Sequence, residues 1–185
     1  MTAVAEFKLS GTALPKDAEW MLNEVCEHFA EHAEVQRTAG TALLTNETGT
    51  AHIRLDDGKL LIELACPTQD ALQISRTVIA EHLFYFAGDE PFELAWSDPM
   101  PHTRLANLHE ATVSSAEDVT PHMRRVIVTC ADVTPFVSSD MHVRLLIPPR
   151  GRQPVWPGVR DDGRIVWPEG EDTLLTRIYT IRAVD

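Results

Sequence analysis

Pro99 and Pro101, set two apart in Ser97-Asp98-Pro99-Met100-Pro101-His102, are the feature that most limits how this chain can fold. Proline has no N–H to give to a helix or a ladder, so neither element runs through this stretch. The sequence is therefore read as two units and a linker: residues 1–98, 99–107 and 108–185. Charge follows the same division. Residues 1–98 hold 6 basic and 17 acidic side chains, whereas residues 99–185 hold 10 and 11, every basic one an arginine. Such asymmetry points to two units with different partners.

The overall charge of −12 argues against nucleic acid or an anionic membrane as the main partner. No apolar run approaches the roughly 20 residues of a membrane span. Glu6 and Lys8 interrupt any signal-peptide pattern, so the expected location is the cytosol. Cys26, Cys66 and Cys130 are odd in number and far apart, with no C-x-x-C pair. They are expected to be reduced and buried rather than disulfide-bonded or zinc-bound.

The first unit mixes strands and helices. Ala5, Phe7 and Leu9 alternate with polar neighbours as in a short strand. Over residues 17–32, Ala18, Met21, Leu22, Val25, Cys26 and Phe29 form one helical stripe, with Asp17 placed to cap it. Glu19, Glu24, Glu27, Glu31 and Glu34 make an acidic face, read as solvated. Short strands follow, with turns at Asn46-Glu47-Thr48-Gly49 and at Asp56-Asp57-Gly58, where Asp-Gly suits a tight hairpin. Residues 69–87 predict a second helix with Leu72, Ser75, Val78, Ile79, Leu83 and Phe86 on one face. Phe92, Leu94 and Trp96 complete a last strand. The expected fold is α+β, a two-layer antiparallel sheet with two helices on one face.

The second unit reads as nearly all strand: 110–114, 124–130, 142–147 and 174–184, with residues 150–172 as a loop rich in glycine and proline. Four strands with turns between them predict an incomplete antiparallel β-barrel.

Four motifs lie in order in this unit. Thr120-Pro121-His122-Met123-Arg124-Arg125-Val126 is followed by Asp140-Met141-His142-Val143-Arg144-Leu145, Trp167-Pro168-Glu169-Gly170 and Arg177-x-Tyr179-Thr180. Together they resemble the siderophore-interacting FAD-binding proteins, ferric-siderophore reductases built on a ferredoxin-reductase-like flavin barrel. The resemblance implies cofactor-binding roles for Arg177, Tyr179, Thr180 and Arg182. Tyr179 would lie against the isoalloxazine, the Thr180 hydroxyl or amide would bond a ring nitrogen, and an arginine would pair with the pyrophosphate. It implies FAD as cofactor, NAD(P)H as electron source and a ferric siderophore as substrate. Arg144 stands where the family usually has lysine. It is a candidate with Arg150, and with Arg152, Arg160 and Arg164, for a basic surface facing an anionic ferric chelate. The first unit resembles a small uncharacterised domain found with such reductases, through Cys26-Glu27-His28-Phe29 with His32, and Glu81-His82-Leu83 with Phe86, Glu90 and Trp96.

His28 and His32 are four apart on a helix and His82 lies on the stripe of the other helix. With Cys26 they could hold a metal or haem. The competing reading makes His82 a hydrogen-bonded core residue with the other two at its flank, and the lack of any carboxylate–histidine motif favours it. No nucleophile elbow and no glycine-rich phosphate loop is present.

Two functions follow. The chain is the N-terminal part of a flavin-dependent ferric-siderophore reductase, a truncated or natural short form whose exposed barrel edges could pair two copies. Alternatively it is a non-catalytic module for iron, haem or siderophore that works through residues 1–98.

Overall fold

The structure, a computed structural model, describes residues 6–98, 104–137 and 142–185. Ala5, part of the linker, Ser138, Ser139 and the Asp140-Met141 portion of one motif lie outside them. The chain divides into two compact units. One runs through Asn107 and includes Trp156–Trp167; the other comprises Leu108–Val155 and Pro168–Asp185.

The first unit contains β1 (Phe7–Leu14), α1 (Ala18–Phe29), β2 (Glu34–Thr38), β3 (Thr41–Asn46), β4 (Gly49–Asp56), β5 (Lys59–Cys66), α2 (Gln69–Ala87) and β6 (Glu93–Trp96). The strands form one antiparallel sheet in the order β2-β3-β4-β5-β1-β6. The β4–β5 turn places Asp57 and Gly58 at φ 47° and 74°, the positive values of the hairpin that Asp-Gly favours. Asp17 caps α1 by accepting the Trp20 amide at 2.9 Å, and the helix ends at Phe29, earlier than residue 32. Thr68 caps α2 in the same way through the Ala71 amide.

Alternation decides the core. Leu60, Ile62, Leu64 and Cys66 of β5 are buried while Leu61, Glu63 and Ala65 are not. Met21, Leu22 and Val25 of α1 and Leu72, Ile79 and Leu83 of α2 close over that face. Each such side chain stabilises the unit by about 1.5–3 kcal/mol. The face of α2 differs from the expected one at one turn. Val78 is exposed and Arg76 takes a buried place beside Leu72, Ile79 and Ala80.

Residues 158–166 are not an open loop. They form a short hairpin, β10 (Gly158–Val159) and β11 (Ile165–Val166), within the first unit.

The second unit holds two separate ladders. β7 (Ala111–Thr120) pairs with β8 (Met123–Cys130), and β9 (His142–Ile147) pairs with β12 (Leu175–Thr180). β7 runs six residues beyond the expected end at Ser114, and Pro121-His122 is the hairpin turn. β12 stops at Thr180, which leaves Arg182 beyond it. No closed barrel is formed among the described residues. Val113, Val126, Ile127, Val128, Ile147, Leu175 and Ile178 are exposed. No helix among the described residues is long and apolar enough to cross a membrane.

Candidate functional site

β12 carries the residues expected to bind a cofactor. Side chains alternate along a strand, so Leu175, Arg177 and Tyr179 share one face and Thr176, Ile178 and Thr180 the other. Directly opposed partners on β9 lie on the same side as their mates. Arg177 faces Leu145 and Tyr179 faces Val143, while Ile178 faces Arg144 and Thr180 faces His142. One face therefore presents an arginine and an aromatic ring beside two aliphatic side chains. Tyr179 is 54% exposed and Leu145 40%. The Arg177 guanidinium donates to the Thr176 carbonyl at 2.8 Å. Arg144 is on the reverse face with Thr180, so the ladder does not bring it together with Tyr179.

The basic surface is smaller than expected. Arg152 pairs with Glu171 at 2.7 Å and Asp172 at 3.1 Å, and Arg164 pairs with Asp162 at 2.7 Å. In the β7–β8 hairpin Arg124 pairs with Asp118 and Arg125 with Glu117. These guanidiniums are matched locally by carboxylates; Asp118 is held below its ordinary range by its bond from Arg124. Arg144, Arg150 and Arg160 remain as candidates for an anionic substrate.

The histidines do meet. His28 and His82 rings lie 4.5 Å apart between centroids and His28 and His32 6.0 Å apart, packed with Phe29 and Phe86. His82 Nδ1 lies 2.7 Å from the Val78 carbonyl; a carbonyl only accepts, so Nδ1 carries the proton. Among the described residues no group of three or more His, Cys, Asp and Glu is placed to hold a metal ion. Cys26 and Cys66 are buried, and burial pushes the Cys26 thiol up. Cys130 is only half-buried, contrary to expectation.

The most constrained polar cluster lies where no site was anticipated. Arg76 is 2% exposed, and its guanidinium donates to the carbonyls of Asp98, at 3.3 Å, and Asp161. Its Nε is buried without a partner. Burial pushes this guanidinium below its ordinary pKa, and the charges of Asp161, Asp98 and Asp162 oppose that. Trp96 Nε1 donates to the Asp162 carbonyl at 2.9 Å, and the Ile165 amide donates to Glu81 at 2.7 Å. Arg164 lies 3.6 Å over the Phe84 ring. Gly163 sits at φ 96°, where a Cβ would come 2.9 Å from that of Ala80. Side chains of α2 and β6 thus clasp the turn of the β10–β11 hairpin. A cavity of about 460 Å³ beside it is lined by Leu94, Ala95, Trp96, Arg160, Asp161 and Asp162.

Residues 112–185 match the family described as the siderophore-interacting FAD-binding domain. Residues 12–97 match the family described as an uncharacterized protein conserved in bacteria, DUF2218. The two halves of the chain thus match two different families. Among solved structures, the NMR structure of PA4090 from Pseudomonas aeruginosa is similar at 23% identity and a TM-score of 0.42, covering 49% of this chain and 96% of that one. No curated protein matches.

These assignments give the clasp its meaning. Its receptor, α2 and β6, lies within the DUF2218 match, whereas the turn it holds lies within the FAD-domain match, yet both are in one compact unit. The exposed ring of Tyr179 beside Val143 and Leu145, with Arg177 on the same face, fits a flat apolar ring system that carries an anionic diphosphate. Arg76 went unnoticed as a charged residue on a helix. The signal was its spacing: 72, 76, 79 and 83 make one stripe, and the arginine occupies a core position on it.

Proposed function

We propose that the second half of this protein binds FAD on the Arg177–Tyr179 face of the β9–β12 ladder, and that the protein serves the reduction of ferric siderophores in the cytosol. The observation that carries this reading is the register of that ladder, which sets Tyr179 against Val143 and Arg177 against Leu145 on one open face. Tyr179 would stack on the ring and Arg177 would pair with the diphosphate. Thr180 points to the reverse face, so its backbone is the group suited to bonding the ring edge. Arg182, just past the strand, is a second cation for the diphosphate. FAD, when bound, supplies the conversion of a two-electron hydride from NAD(P)H into one-electron steps. Iron(III) held by hard oxygen ligands would gain one electron and leave as iron(II), for which those ligands have less preference. Arg144 and Arg150 would attract the anionic chelate.

Titrating the purified chain with FAD while following flavin fluorescence tests the binding step. Saturable quenching that Tyr179→Ala removes supports it, and no quenching at any FAD concentration refutes it. Adding NAD(P)H and a ferric siderophore, with iron(II) trapped by a chromogenic chelator, then tests turnover. The Arg144→Ala, Arg150→Ala double variant should slow reduction of an anionic chelate.

A further inference from the structure

We propose that the DUF2218 half is a positioning device for the FAD-domain ladder. By clasping Trp156–Trp167 it restrains both arms of the connection between β9 and β12, and so favours the pairing of the two strands that form the ladder of Arg177 and Tyr179. The effect on the ladder stands on connectivity alone; its effect on FAD rests on the function proposed above.

Three observations converge on this. The first is the composition of the clasp. Arg76 bonds the Asp161 carbonyl, Trp96 the Asp162 carbonyl and Glu81 the Ile165 amide, and the Gly163 site admits no side chain. Apart from Arg164 over the Phe84 ring, the contacts read backbone, so the receptor recognises chiefly the shape of a turn.

The second is Arg76 itself. Taking a guanidinium out of water is costly, and an apolar side chain would fill this place in the stripe without that cost. A buried arginine with one nitrogen unpartnered makes sense as a hook for the Asp161 carbonyl.

The third is topology. β9 ends at Ile147 and β12 begins at Leu175, so residues 148–174 connect two strands that pair with each other. Unclasped, the strands must close one long loop. With Trp156–Trp167 held, the free parts shrink to residues 148–155 and 168–174. A two-stranded ladder is marginal by itself, and β9 and β12 are mostly exposed, so their order depends on such restraint.

Arg76 and Gly163 are thereby positioning residues, and two variants of the full chain test this from opposite sides. Arg76→Leu removes the hook, and Gly163→Val blocks the turn while leaving the receptor intact. Limited trypsin digestion reads release of the hairpin through cleavage after Arg160 and Arg164. Amide hydrogen exchange reads the ladder at Val143–Ile147 and Arg177–Thr180. Both variants should speed cleavage and quicken ladder exchange about tenfold. Faster cleavage with unchanged ladder exchange overturns the proposal, as does failure of both variants to release the hairpin. FAD titration of the same proteins separates the two claims. Affinity that falls with ladder protection supports coupling to the cofactor. If the parent chain binds no FAD, the flavin reading fails, and ladder exchange still decides the positioning role.

Discussion

Glu81 accepts the Ile165 amide at 2.7 Å across 84 residues of sequence, tying a helix of the DUF2218 half to a strand of FAD-domain sequence. Glu81→Ala leaves that amide half-buried and unbonded. A bond to a charged group is worth about 1.5–3 kcal/mol. Chemical denaturation of the first unit should show a loss in that range, and Glu81→Gln, which keeps an acceptor, should lose less.

Truncating Arg76 is expected to cost more. Arg76→Ala opens a cavity and strands two carbonyls, a combination worth about 2–4 kcal/mol. Arg76→Met fills much of the space and removes the buried charge, so its midpoint in urea should lie between those of the parent and Arg76→Ala. A midpoint for Arg76→Met below that of Arg76→Ala would show that charge, not packing, dominates the site.

Acid should open the clasp. Burial by itself would raise the Asp162 carboxyl, but hydrogen bonds from the Arg164 side chain and amide, with the charges of Arg164 and Arg160, outweigh it and hold the group below its ordinary range. The folded value thus lies below the unfolded value of about 3.9. The stabilisation is complete above that pH and is lost as pH falls through the folded value. The Trp96 indole N–H resonance, which reports the bond to the Asp162 carbonyl, should hold its shift through the ordinary carboxylate range and move only as pH falls through the lowered folded value. Asp162→Asn should abolish the acid step.

The thiols should separate by reactivity. Cys26 is buried and its pKa is pushed up, first by burial, with Glu27 adding to the effect and Arg37 opposing it. Cys66 is buried against Ser75, whereas Cys130 is partly exposed. Iodoacetamide followed by mass spectrometry should label Cys130 first in native protein and all three alike in urea.

The two faces of β12 should respond differently to FAD. Tyr179→Ala is expected to weaken binding at least about tenfold, since base–aromatic and ring-stacking contacts are worth about 1–3 kcal/mol. Ile178→Ala, on the reverse face, should leave the affinity unchanged. Equal losses would place the cofactor elsewhere.

Local chemistry made much of the first unit legible. Asp57-Gly58 specified its turn, and residues 69–87 bounded α2 because Thr68 caps one end and Gly88, at positive φ, terminates the other. The strands of the second unit were legible for a similar reason, since Val and Ile favour extended backbone wherever they lie. Their burial was not. Val128 and Ile178 are exposed, because burial depends on which layer covers a strand, and propensity carries no information about that. The clasp escaped for a related reason. Its partners are backbone groups, and Asp161 contributes a carbonyl that any residue would offer. Only Gly163 and the misplaced arginine on the α2 stripe left a trace in the sequence.

The clasp also orders events in time. Chains emerge from the ribosome N-terminus first and domains fold as units. Every residue of the receptor, through Asp98, precedes Trp156 by more than fifty positions. The socket is therefore complete before the hairpin that enters it has been synthesised. The slow, non-local pairing of β9 with β12 becomes a late step that starts from an already anchored midpoint.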